Sequence, residues 1–345
     1  MELFGIALTM LALFVSFGFM VGILFGFFGM GGSFLVTPAL LVMGYDTSVA
    51  VGSGMAFVFG TAMIATLKHR DLGQVDYKLG GLMIVGTTSG IEVGSRVVYY
   101  LEELGLASGA IGATYVVLLG AVGLFVTRNA LANDGEDDSS GGHHESDEEF
   151  DPDAIPPLAK RIQSYRIPPM MTVAGGIQVS LWLILAVAFA TGLLSGFLGV
   201  GGGFIKMPAM VYLIGVPVPV AVGTDLFEIV FSGGFGAFTY GLKGGVDLSI
   251  VAPLLAGSAL GARIGSAATG IVDEDDIKIY FGLMLLGGSV AVAFRQAADP
   301  LGIPMLETVA FALIMLSALL VSGAVIYSTI TTMRKQSNAA AASAD

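Results

Sequence analysis

Residues 22–39 read GILFGFFGMGGSFLVTPA, and residues 192–209 read GLLSGFLGVGGGFIKMPA. At an offset of 170, Gly22, Gly26, Phe27, Gly29, Gly31, Gly32, Phe34, Pro38 and Ala39 all recur. One inserted residue later, AVGSGMAFVFG (50–60) matches AVGTDLFEIVF (221–231), GQVD (73–76) matches GGVD (244–247), and glycines 86, 90 and 94 match 257, 261 and 265. The chain therefore reads as two homologous halves. Around them, apolar runs of about 20 residues, the length that spans a bilayer core, fall near 6–28, 47–67, 79–99, 106–127, 177–198, 218–240, 249–271, 279–294 and 308–332.

Composition agrees. Of 345 residues, 55% are hydrophobic, 12% are charged and 50 are glycine, and the mean hydropathy is +0.85. An average soluble domain carries about 25% charged residues. These values exclude an ordinary soluble enzyme, a disordered chain and a nucleic-acid binder, which would need a basic surface. A transmembrane barrel would show alternating strands of about 10 residues. The absence of cysteine removes disulfides, thiol chemistry and Cys-ligated metals. The expected fold is an all-α polytopic transmembrane helical bundle. The apolar N-terminus lacks a basic leader region and is read as a retained first helix.

The net charge of −12 is local. Ten of the 27 acidic residues lie between Asp134 and Asp153; without them 17 acids face 15 Lys and Arg, a net −2. That stretch is too polar and self-repelling to build a core and reads as a disordered linker. His143 and His144 beside the acids have a metal-binding reading and a blander one as solvated linker, which the composition favours. The organisation expected is repeat 1 over 1–127, an acidic cytoplasmic linker over 128–171, repeat 2 over 172–297, an extra transmembrane helix over 298–333 and a tail over 334–345.

Basic residues mark the cytoplasmic side. Lys68, Arg70 and Lys78 place one loop inside; Lys160, Arg161 and Arg166 place the linker end inside; Arg334 and Lys335 place the C-terminal end inside. Five long spans separate the last two groups, so the short apolar run at 204–215 must help the chain cross. Each half then crosses five times and the halves are inverted. Lys243, which falls outside, counts against this orientation.

The glycine clusters are not nucleotide loops: Phe34 and Phe204 stand where the dinucleotide fingerprint needs glycine, and no Lys-Ser/Thr follows. Packing glycines recur on one helix face at i, i+4, as 86, 90 and 94 do. Gly29, Gly31 and Gly32, and Gly199, Gly201, Gly202 and Gly203, are nearly consecutive and instead break the helix. A break within a bilayer exposes backbone N–H groups that must be satisfied, and is tolerated where it lines a polar cavity. Free N–H groups where the next helix begins, at Ser33 or Gly203, favour an anion. Matching breaks in two repeats point to a midplane binding site. Thr37, Ser53 and Thr224 offer hydroxyls to it, though mid-helix hydroxyls often bond their own backbone.

Ionisable residues within apolar segments are costly and face the protein interior. Asp225 and Glu228 share a helix face at i, i+3, and their counterparts in the first half are Gly54 and Phe57. They are read as a coupling site for H+ or Na+, against the simpler reading of solvated helix-end residues. Lys206, opposite Val36, is placed to meet an anionic substrate or to snorkel to an interface. Glu92 and Arg263 occupy equivalent positions and are expected to form a structural interhelical ion pair. Asp76 and Asp247 precede helices as N-caps.

The paired GxxGxGGxFxxxP pattern, with AVGS/AVGT and the GxVD turn, resembles the TauE/SafE family of sulfite exporters and related anion permeases. The resemblance covers most of the chain outside the acidic linker. It implies a multi-pass cell-membrane permease moving a small, sulfur-containing anion such as sulfite or a sulfonate, by a secondary mechanism. The alternative is a passive anion channel. An intramembrane enzyme lacks support: Ser53 has no GxSxG elbow, His69 is the only histidine outside the linker, and HExxH is absent. No cofactor or metal is expected. The expected partners are the anion, the bilayer and a coupling ion.

Overall fold

The computed structural model describes residues 2–3, 6–28, 33–71, 73–133, 167–173, 176–268, 271–272 and 274–342. The acidic stretch at 134–153 and the glycines Gly29, Gly31 and Gly32 lie outside these residues. The described residues form an all-α bundle of eleven helices with two small antiparallel hairpins. The helices are α1 (Leu8–Phe28), α2 (Ser33–Val42), α3 (Thr47–Asp71), α4 (Tyr77–Glu103) and α5 (Ala107–Asn133), then α6 (Leu181–Leu198) and α7 (Gly203–Ala209). The chain runs from α7 into a π-helical turn (Met210–Ile214), and α8 (Val218–Gly241), α9 (Leu248–Ala268), α10 (Glu274–Leu301) and α11 (Met305–Ala342) follow. The hairpins pair β1 (Glu2–Leu3) with β2 (Ile6–Ala7), and β3 (Met170–Val173) with β4 (Ile177–Ser180). The last helix continues to Ala342, through most of the stretch expected as a tail.

Eight helices, α1, α3, α5, α6, α8, α9, α10 and α11, are long and apolar enough to cross a membrane. The ninth expected span is α4, whose 27 residues are diluted by glycine, Ser, Thr, Glu92 and Arg96. It compensates by burying a glycine-lined face against α6.

Glycine spacing decides which helices meet. Lipid tails supply no hydrophobic drive between spans, so association rests on close packing of small residues. Gly86, Gly90 and Gly94 of α4 lie against the α6 backbone near Leu185, Phe189 and Leu193. In return, a Cβ at Gly192 of α6 would sit 2.6 Å from Thr87 Cα. Gly257, Gly261 and Gly265 of α9 meet α1 at Val15, Phe19 and Ile23 in the same way, and Gly18, Gly22 and Gly26 of α1 reciprocate. Further major pairings join α5 with α10, α3 with α8 and α10 with α11.

These contacts fix directions. Gly18 faces Leu254 and Gly26 faces Ala262, so α1 and α9 are parallel; Gly86 faces Ala188 and Gly94 faces Phe197, so α4 and α6 are parallel. Gly52, in the second turn of α3, lies against the Gly245 carbonyl just past α8. Gly223, in the second turn of α8, lies against the Gln74 carbonyl just past α3. Hence α3 and α8 are antiparallel. The turns into α4 and α9 are sharp, with Gly73 and Gly244 at φ +68° and +77°. Asp76 caps α4 by accepting from the N–H groups of Lys78 and Leu79 at 2.9 and 3.0 Å. Asp247 accepts from Ser249 N–H at 2.8 Å before α9, so both expected caps are present. Together the directions make α1 parallel to α3, and α6 parallel to α8. The segments carrying α2 and α7 therefore return the chain between them.

Candidate functional site

The site is built where α6 stops. Gly199, Gly201 and Gly202 have φ of +75°, +66° and +81°, a left-handed region open to glycine. The helix ends at Leu198 and α7 starts at Gly203, so the second glycine cluster does break the helix. In the first half α1 ends at Phe28 and α2 begins at Ser33; the cluster between, like the Ser33 side chain, lies outside the described residues.

A helix end leaves carbonyls without intrahelical partners, and here other helices supply donors. Tyr240 OH of α8 donates to Gly196 O at 2.6 Å, Tyr115 OH of α5 donates to Leu198 O, and Thr37 Oγ1 of α2 donates to Gly199 O at 3.3 Å. Both tyrosines are buried. Their sequence neighbourhoods gave no sign of this role; a phenol deep in an apolar span, which needs a partner, is the signal that could have found them. Gly54 of α3 completes the contact, since a Cβ there would meet Thr37 Oγ1 and lie 2.7 Å from Gly199 O.

On the other side of the break, Lys206 stands in the first turn of α7, its N–H bonded to Gly202 O at 2.7 Å. Its side chain turns to α8. Nζ lies 3.1 Å from Asp225 Oδ1 and contacts Glu228 Oε2 as a hydrogen-bonded ion pair. The three residues are 0%, 2% and 0% exposed. The Asp225 contact is a charge contact outside hydrogen-bond geometry, and Glu228 Oε1 is buried without a hydrogen-bond partner among the described residues. Lys206 thus neither snorkels nor stands alone, and the two carboxylates are interior groups, not solvated helix-end residues.

Ser53 and Thr224 hold backbone. Ser53 Oγ accepts from Asp247 N–H at 3.1 Å, and Thr224 Oγ1 accepts from Asp76 N–H at 2.9 Å. Ser53 on α3 thereby fastens the turn that follows α8, and Thr224 on α8 fastens the turn that follows α3. The Glu92–Arg263 pair does not form. Glu92 bonds Arg96 on its own helix at 2.7 Å, with side chains 37% and 73% exposed, and Arg263 is exposed on α9. The reason is packing: α4 takes α6 as its partner and α9 takes α1, which leaves these equivalent positions on separate outer faces. Lys243, the loop charge that argued against the inverted orientation, stacks over the Tyr99 ring at 3.9 Å.

A cavity of about 250 Å³ opens at the end of the bundle where α2 leads into α3, lined by Tyr45, Asp46, Glu102, Ser108 and Arg295 among others. Sequence spacing does not reveal it, because its walls come from five separate elements. Partial burial pushes the Tyr45 phenol up, and the nearby Asp247 charge adds to this.

The model of a family described as "Sulfite exporter TauE/SafE" matches residues 14–294. The chain is 25% identical over 280 residues to the "Probable membrane transporter protein YunE" of Bacillus subtilis (strain 168), covering 79% of this chain and 93% of that one. It is 26% identical over 292 residues to a "Probable membrane transporter protein" of Xylella fastidiosa (strain 9a5c), covering 83% and 95%. No solved structure matches. A bundle of eight long apolar spans, assembled through paired glycine faces and matched over most of its length by this model, belongs to the TauE/SafE family of multi-pass membrane transporters.

Proposed function

We propose that the protein is a secondary transporter of a small, sulfur-containing anion such as sulfite or a sulfonate, with Asp225 and Glu228 coupling substrate to an ion gradient. The observation that carries this reading is the buried Lys206–Asp225–Glu228 cluster next to the left-handed glycines of the second break. Ionisable groups at membrane depth mark substrate and proton pathways. Open N–H groups at a helix break suit a compact oxyanion that accepts several bonds at once. The description of the family model as a sulfite exporter supports the substrate class.

The packing supports two inverted halves. Exchanging α1 with α6, α2 with α7, α3 with α8, α4 with α9 and α5 with α10 turns the α1–α9 pairing into α6–α4 and returns α3–α8 and α5–α10 to themselves. The equivalent helices α3 and α8 run in opposite directions, as inversion requires, and such repeats underlie alternating access. Arg70, Lys78, Arg128, Arg334 and Lys335 gather at one end of the bundle, and Lys243 and Arg295 at the other. The positive-inside rule makes the first end, with the linker, cytoplasmic.

The test is flux in proteoliposomes, with sulfite, methanesulfonate and chloride offered separately. Accumulation of a sulfur oxyanion that collapses when the ion gradient is removed supports the reading. Flux that survives collapse of every gradient identifies a passive anion channel instead.

A further inference from the structure

We infer that the Lys206–Asp225–Glu228 cluster is a proton site, not a Na+ site, and that the proton and the anion bind together because both act on the Lys206 ammonium. The inference rests on the transporter reading above and names its coupling ion.

The first argument is charge. With all three groups ionised the cluster carries one net negative charge, while each side chain is almost completely shut off from solvent. An uncompensated buried charge is strongly unfavourable, and among the described residues no other ionisable group on the packed elements offsets it. Helix α6 carries none. The part of α3 before Lys68 carries none. On α4, Glu92 is paired with Arg96, and Lys78 bonds the Thr172 carbonyl. Tyr212 in the π-helical turn is exposed. A proton on one carboxyl restores neutrality, and within the cluster Glu228 Oε1 and Asp225 Oδ1 are buried with no hydrogen-bond partner among the described residues.

The second argument is space. A Na+ ion held by two carboxylates occupies the point between them. Here that point belongs to the Lys206 ammonium, which touches both. A second cation would meet like charge there, whereas a proton adds to an oxygen without displacing the ammonium.

The third argument is position. Lys206 Cε lies 3.7 Å from where a Cβ on Gly202 would be, so the ammonium stem lines the glycine break. Protonating the remaining carboxylate breaks its ion pair with Lys206 and leaves the ammonium to pair with an anion at the break. Each arriving negative charge is matched by one arriving proton. In the reverse step the carboxyl loses its proton, the carboxylate takes back the ammonium, and the anion leaves.

The experiment has two arms, both on the full chain in lipid. The first needs no substrate: infrared difference spectra of the carboxyl C=O stretch against pH, for wild type, Asp225→Asn and Glu228→Gln, in Na+ and in K+. A protonated carboxyl band that at least one variant removes, and that is indifferent to Na+, is expected. No such band at any pH, or a band abolished when Na+ replaces K+, overturns the proton site. The second arm measures proton uptake in weakly buffered solution when methanesulfonate, a monoanion that does not titrate near neutral pH, is added. Wild type should take up about one proton per bound anion. The triple variant Lys206→Met/Asp225→Asn/Glu228→Gln, neutral as a set, should take up none. Equal uptake by the triple variant overturns the shared role of Lys206. If wild type binds neither methanesulfonate nor sulfite, the anion reading and the joint binding fall, and the first arm still decides the proton site.

Discussion

Lys206 Nζ lies 3.1 Å from Asp225 Oδ1, across the gap between a seven-residue helix that follows a glycine break and the third turn of α8. The pairing ties the break to α8, so a movement of α7 against α8 must either carry the charges along or separate them. Separation within a dry interior is costly unless a proton or an anion compensates. That constraint links the geometry of the break to the occupancy of the site.

Removing Lys206 alone should therefore be worse than removing the whole cluster. Lys206→Met leaves the cluster's carboxylate charge buried without a counter-charge, and breaking a buried pair in this way costs about 3–5 kcal/mol. The neutral triple variant keeps the volume and should recover most of that loss. Thermal unfolding in detergent, followed by size-exclusion chromatography, compares them; a single variant as stable as wild type would refute the charge accounting.

The glycine faces make a second contrast. Gly90 of α4 has the Phe189 carbonyl where its Cβ would be, and Gly261 of α9 has the Phe19 carbonyl. Replacing either by Leu must push two backbones apart, at about 1–3 kcal/mol or more. Gly81, on the exposed face of α4, has no neighbour within 4 Å of such a Cβ. Gly81→Ala should be neutral or stabilise by roughly 0.5–1 kcal/mol through helix propensity. The same melting assay separates the two classes.

Ser53 and Thr224 should behave as a matched pair. Each hydroxyl is buried and accepts the N–H of a capping aspartate, Ser53 that of Asp247 before α9 and Thr224 that of Asp76 before α4. Ser53→Ala and Thr224→Val each strand one backbone donor, a loss of about 1–3 kcal/mol. Hydrogen exchange should quicken at 244–249 in the first variant and at 73–79 in the second. Faster exchange in the wrong turn would show that the fastening is not the one described.

Much of this was legible in the sequence, and the reason differs by feature. The spans follow from apolar runs, the close-packed helix faces from i, i+4 glycines, and the two caps from Asp after a Gly-x-Val turn; each signal is local. The union of Lys206 with Asp225 and Glu228 was not read, because it depends on how α7 folds back on α8. Yet a clue was available: all three charges lack counterparts in the first half, where Val36, Gly54 and Phe57 stand. Three unmatched charges in one apolar half have only one another to balance them. The Glu92–Arg263 expectation failed for the complementary reason. Positions that align between the two halves of the sequence need not lie near one another in the fold.

Gly202→Ala probes the break without dismantling the fold. At Gly199 an added Cβ would lie 2.7 Å from Val51 Cα and 2.9 Å from Thr37 Oγ1, so substitution there must unseat α3 and α2. At Gly202 the nearest atoms are Ser195 Cβ and the Thr191 carbonyl at 3.5 Å, with Lys206 Cε at 3.7 Å, all at ordinary contact distance. The cost is therefore backbone strain at φ +81°, roughly 1–2 kcal/mol for a residue with a Cβ in the left-handed region. A protein of ordinary stability survives that loss. The new methyl, however, stands against the Lys206 stem and narrows the space beside its ammonium. The variant should insert and purify as wild type does, with its melting temperature lowered slightly, and should transport sulfite markedly more slowly. Wild-type flux with an intact fold would place the anion away from this break, whereas loss of both fold and flux would mean that Gly202 is needed for assembly.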